Sequence, residues 1–99
     1  MGASGFGASL RLFGRVFRNA DLRDADLRGA NLDRADFAGA NLRGAYLGLD
    51  NLGGGTKVRG TNFEGATLDG AVFSGAVYSR STRFPPGFDP RAHAMVLDD

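Results

Sequence analysis

Residues 15–49 read RVFRN ADLRD ADLRG ANLDR ADFAG ANLRG AYLGL, and residues 56–80 read TKVRG TNFEG ATLDG AVFSG AVYSR. Between them DNLGG, residues 50–54, keeps the frame, and Gly55 slips it by one residue. The period is five and runs through thirteen units. The central residues are Phe17, Leu22, Leu27, Leu32, Phe37, Leu42, Leu47, Leu52, Val58, Phe63, Leu68, Phe73 and Tyr78, all large and apolar or aromatic. Two places earlier Ala fills nine units and Thr two, with Arg15 and Asp50 as exceptions, and Gly closes eight.

A period of five fits neither a helix at 3.6 residues per turn nor a flat strand at 2.0, so the chain must turn a corner once per unit. Within a unit the large residue and the small one two before it point to one side, while the residue between them points outward. The small residue sits where space is tight, and the closing Gly relieves a corner where φ is unfavourable for other residues. The solution is a solenoid, with the thirteen central residues as its core.

The tandem unit A[DN]LxG resembles the pentapeptide-repeat family from Arg15 to Arg80 and on into the tail. The resemblance implies an all-β solenoid, a right-handed quadrilateral β-helix of about three coils with four units in each. Residues twenty apart then stack, so with a one-residue slip Leu22, Leu42 and Phe63 form one ladder and Leu27, Leu47 and Leu68 the next. It also implies a homodimer through the C-terminal end, sealed by Met95, Val96 and Leu97. Some members mimic duplex DNA and protect type II topoisomerases.

Three stretches interrupt the pattern. GLDNLGGGTK, residues 48–57, carries Asp50 at an inward position and three glycines in a row, and reads either as a fault absorbed by glycine or as a small presented loop. Asp50 is placed to cap backbone amides locally. At the front, Leu10, Phe13 and Phe17 fall on one side of a helical wheel and Arg11, Arg15 and Arg18 on another, so residues 1–14 form a basic amphipathic segment that caps the solenoid or docks to a partner. ASLRL offers a strand-like alternative there. The repeat domain spans 15–84, followed by a C-terminal cap over 85–99. There Asp89 is a good N-cap and Pro90 a good first residue for a helix reaching about Leu97, with Phe84 and Phe88 plugging the last coil.

Composition narrows the function. Twelve basic and eleven acidic residues give a formal charge of +1, which argues against nucleic acid or an anionic membrane as partner. The arginines near the start lie inside its apolar stretch, the wrong order for a secretory signal. No apolar run approaches the roughly 18 residues of a membrane span. There is no Cys and one His, His93, so thiol chemistry is absent and no metal or cofactor is expected. Asp21, Asp26 and Asp36 recur at outward positions beside Arg23, Arg28 and Arg34 and read as solvated ion pairs rather than acid–base pairs. The expectation is a cytoplasmic, non-enzymatic scaffold that binds another protein, or a cargo or accessory subunit docked by its first segment to a larger assembly or a membrane surface. The candidate contacts are the outward apolar residues Tyr46, Leu49, Val72 and Val77 with the arginines Arg11, Arg15 and Arg18.

Overall fold

A computed structural model describes residues 11–50 and 53–99. Most units end in a tight turn that begins at the central residue. The carbonyl of Phe17 accepts from Ala20 N–H at 3.1 Å, that of Leu22 from Ala25 at 3.1 Å, and that of Leu42 from Ala45 at 3.0 Å. The third residue of each turn takes a positive φ, 70° at Gly39 and 68° at Gly44, which is why Gly recurs there. A Cβ at Gly39 would also strike the Asn19 side chain on the neighbouring pass of the chain. Asn19 and Asp24 tolerate the same conformation, whereas Arg34, at φ 62°, occupies it without that excuse.

The turns bring the chain back over itself every twenty residues. Parallel bridges join Arg11 to Asn31, Val16 to Asp36, Asp21 to Asn41 and Asp26 to Tyr46. At each rung a central residue donates to the pass above, as Leu22 N–H does to Asn41 O at 2.8 Å, and Asn41 N–H returns a bond to Ala20 O at 2.9 Å. This is a β-helix type of fold in which single bridges, not long strands, carry the pairing. Among the described residues only β1, Val77–Tyr78, and β2, Val96–Leu97, extend to two residues, and they pair in parallel with Val77 opposite Val96.

The inward residues fill the interior. Leu32, Phe37, Leu42, Leu47, Val58 and Phe63 are completely buried, and the end residues Phe17, Leu22 and Tyr78 are half-buried. Rings stack along one column, with centroids 4.9 Å apart from Phe17 to Phe37, 5.3 Å to Phe63 and 5.8 Å to Phe84. Phe88 stacks on Phe84 at 4.8 Å, and the His93 ring covers Phe88 at 4.2 Å. Thr56 and Thr61 replace Ala without leaving a buried hydroxyl unpaired, because they donate to Leu27 O at 2.9 Å and Leu32 O at 2.8 Å.

The expected register past residue 50 is corrected. The bridges there join Asn31 to Lys57, Asp36 to Asn62, Asn41 to Thr67 and Tyr46 to Val72, so the spacing grows from twenty to twenty-six. Six residues therefore stand outside the ladder, and DNLGG is not a repeat unit. Leu68, not Phe63, continues the Leu22 and Leu42 column, and Phe73 continues that of Leu27 and Leu47. The segment closes on itself: Asp50 N–H donates to Gly54 O at 2.8 Å, Gly53 N–H to Asp50 O at 3.2 Å, and Gly54 N–H to the Asp50 carboxylate at 2.7 Å. An antiparallel bridge from Leu49 to Gly55 forms its neck. The expected core residue Leu52 lies outside the described residues.

Both expected helices are corrected as well. Arg11 and Val16 are bridged and Gly14 turns at φ 68°, so the described part of the first segment follows the five-residue frame rather than a helical wheel. Leu10 and the residues before it lie outside the described residues. At the other end Asp89 does accept from Arg91 N–H at 3.0 Å, but the helix is a 3-10 turn, Pro90–His93, stopped by Ala94 at φ 57°. Val96 and Leu97 leave it to pair with β1, where the open edge supplies backbone partners that a free helix end lacks. Met95 is buried within its own chain, while Val96 and Leu97 are exposed.

Candidate interaction face

The outward residue of six units has a structural duty. Asp21, Asp26, Asn31, Asp36, Asn41 and Asn62 each accept from the backbone N–H two residues on, at 2.9 to 3.3 Å. The side chain thereby pre-forms the turn that follows it. The charge pairing expected for the aspartates is present too: Asp21 and Asp26 hold Arg23 and Arg28 through two bonds each at 2.8 Å. The Arg23 side-chain bonds hold the Asp21 carboxyl below the usual carboxylate range. Sequence reasoning missed the turn role because an Asp followed two places later by Arg reads equally well as an ion pair. The discriminating signal was available, since Asn fills the same position in three units and cannot form one.

Val16, Tyr46, Lys57, Thr67, Val72 and Val77 fill the same position without that bond, and two of them, Tyr46 and Val72, stack on each other. They are bridge partners on one face, directly above Asp26, and both are exposed, at 46% and 42%. Leu49, 49% exposed, lies at the corner beside them, flat over Gly75, where an added Cβ would come within 2.6 Å of its side chain. The three form one apolar strip whose lower end is a fixed charge. The Arg28 guanidinium sits 5.9 Å from the Tyr46 ring centre, and its bonds to Asp26 raise its pKa further.

The other candidate contacts do not join this strip. Val77 lies on the next face, half-buried in β1, in the same column of bridges as Arg11, Asn31 and Lys57. Arg15 is exposed, and Arg18 lies beyond it, bonded to Asp36 at 2.6 Å. The three arginines are thus spread around the solenoid instead of forming one basic stripe. Two further apolar residues are exposed: Phe13, expected on the apolar side of the first segment, at 56% and beneath the Arg34 guanidinium at 5.8 Å, and Val16, unmarked in the sequence, at 69%. Phe13 borders an open cavity of about 500 Å³ that also holds Asp33, Arg59, Ser79 and Asp98. Arg59 is committed there to Asp33 at 2.7 Å and to Asp98 at 3.2 Å.

Among the described residues no cluster of His, Cys, Asp or Glu could hold a metal ion, and no helix is long and apolar enough to cross a membrane. The family described as Pentapeptide repeats matches in 8 copies, over residues 16–48 and 54–77. A pentapeptide repeat protein of known crystal structure, alr5209 from Nostoc Pcc 7120, is 30% identical over 89% of this chain and 76% of its own, with a TM-score of 0.41. Rfr23 from the cyanobacterium Cyanothece 51142 is 31% identical over 75% of this chain but only 43% of its own, with a TM-score of 0.38. No curated protein matches the chain. The family match covers more than half of the sequence, and its gap at residues 49–53 overlaps the stretch that the bridges step over, so this chain belongs to the pentapeptide-repeat family.

Proposed function

We propose that this repeat scaffold is a non-enzymatic interaction module that docks another protein through the strip of Tyr46, Leu49 and Val72. The finer architecture we assign to it is a right-handed, four-sided β-helix of about three coils, supported by four bridged units between one residue and its partner on the next pass. In such a scaffold the inward side chains are consumed by the core and half of the outward ones by the turns. The observation that carries the reading is that Tyr46 and Val72, stacked on one face, give up the turn-forming Asp or Asn and expose apolar surface instead. Isolated exposed apolar residues are ordinary, whereas a contiguous strip anchored by a fixed cation suits a protein surface with an apolar ridge and an acidic end.

A DNA-mimic role is disfavoured on charge. Duplex DNA presents one negative charge per ~1.7 Å of axis, and this chain carries a net +1 with its arginines and aspartates paired on the same faces. The test of the docking reading is affinity capture from the native cells with the wild type, Val72→Glu, and a control, Lys57→Glu, exposed on another face. The reading expects a partner held by the wild type and the control and lost by Val72→Glu at unchanged melting temperature. An identical set of captured proteins for all three would overturn it.

A further inference from the structure

The top of the solenoid is a staircase. On the face of Arg11, Asn31 and Lys57, two further rungs follow, Val77 and then Val96. On the face of Val16, Asp36 and Asn62, one follows, Arg83. On the face of Asp21 and Asn41, the ladder stops at Thr67. The rung that would lie above it is open. One pass lower, Leu42 N–H donates to Thr67 O at 2.9 Å, Gly44 N–H to Asp69 O at 3.1 Å, and Ala40 O accepts from Thr67 N–H at 2.9 Å. The corresponding Leu68 N–H, Gly70 N–H and Ala66 O have no backbone partner among the described residues. They border a recess of about 420 Å³ walled by Pro85, Pro86, Phe88 and His93, with the Leu68 side chain in its floor.

We propose that this ledge binds an extended peptide segment of a partner protein, added as one more parallel rung, with the local sequence polar, apolar, basic. The polar residue's N–H donates to Ala66 O and its carbonyl accepts from Leu68 N–H. The apolar side chain drops over Leu68 against Phe88, and the third residue's carbonyl accepts from Gly70 N–H. The protein's own chain supplies this occupant one pass down, where Asn41, Leu42 and Arg43 lie over Leu22 and Asp24 in the same pattern. The basic third residue follows from charge: it stacks over Asp69, which is exposed and has no ion pair among the described residues. A second solenoid cannot take the place, because β2 rises two rungs, ~10 Å, above this edge. Strand addition of this kind draws affinity from main-chain bonds and specificity from alternate side chains. The site lies on a different face from Tyr46, so it stands or falls independently of the docking strip.

The test is amide NMR on the full chain with acetyl-Gly-Ala-Asn-Leu-Arg-Gly-amide, the sequence of residues 39–44. The expected result is saturable shifts at Leu68 and Gly70, with slowed exchange of both amides. N-methylation of the peptide's Asn nitrogen removes the bond to Ala66 O and should weaken binding about tenfold or more. Asp69→Arg, an exposed change, should weaken it about fivefold, and a Glu-for-Arg peptide should recover that loss. Unchanged Leu68 and Gly70 signals at millimolar peptide would overturn the proposal, as would equal binding by the methylated peptide or indifference to Asp69→Arg. Protection of the same amides that grows with protein concentration alone would overturn it in favour of a second copy as occupant.

Discussion

Asp36 shows how one side chain can serve a turn and an ion pair together. It accepts from Ala38 N–H at 3.0 Å and from Arg18 Nε at 2.6 Å. The backbone bond first, and then Arg18, hold its carboxyl below the ordinary value of 3.8. The folded protein therefore binds this proton less readily than the unfolded chain does. The stability it contributes is complete above the unfolded pKa, near pH 4, and is lost as pH falls through the lowered folded value. Asn31, Asn41 and Asn62 fill the same turn role without charge. Asp36→Asn should thus cost under about 1 kcal/mol at neutral pH, and Asp36→Ala about 1 to 2 kcal/mol. Urea midpoints across the acid range should fall less steeply for the Asn variant than for the wild type. Coincident acid limbs would assign the loss to other carboxylates, Asp21 foremost, whose pKa is also lowered.

At the scale of elements, the loop at 50–55 decides the register of everything above it. Removing residues 50–55 joins Leu49 to Thr56 and restores the twenty-residue spacing without changing any rung. With Leu49→Gly to accept the corner, the deletion variant should fold and melt within about 1 kcal/mol of the wild type, since closing a short loop has a small entropic cost. Thermal unfolding by circular dichroism measures this. If five of the six residues formed a repeat unit, the same deletion would tear out a whole face and abolish folding. The sequence alone could not separate these cases, because DNLGG imitates a unit with a Leu at its centre and a Gly at its close. Only the bonds from Asp50 to Gly53 and Gly54 distinguish a self-closed turn from a rung. The C-terminal segment misleads for a related reason. Asp89 and Pro90 are strong local helix starters, but the open edge of β1 claims Val96 and Leu97 through contacts that no local pattern records. By contrast, the outward placement of Tyr46, Leu49 and Val72 follows from the five-residue frame alone, whereas the stacking of Val72 directly on Tyr46 depends on the loop, since a one-residue slip would put Thr67 there instead. The arginine stripe does not follow from that frame, because it applied a helical period to a segment that obeys the period of five.

Across the whole molecule, each pass of the chain touches only the pass above and the pass below, so stability is a sum of interfaces and its weakest members are the ends. Leu22 and Leu42 occupy the same column, yet Leu22 is half-buried at the lower end while Leu42 is completely buried between Leu22 and Leu68. Leu42→Ala should cost about 2 to 5 kcal/mol, the usual range for a cavity left in a well-packed core. Leu22→Ala should cost nearer 1 kcal/mol, because a solvated end can relax around the missing atoms. Leu42→Asp strands an unpaired charge at mid-height and should leave no folded population, since a small domain has only about 5 to 15 kcal/mol in total. Denaturant melts of the two alanine variants give the comparison directly, and native-state hydrogen exchange should show the Leu42 amide among the last to open and the Leu22 amide among the earlier ones. Equal costs for the two alanines would mean that the passes do not share load through nearest neighbours, and that the core behaves as one undivided unit instead of a stack.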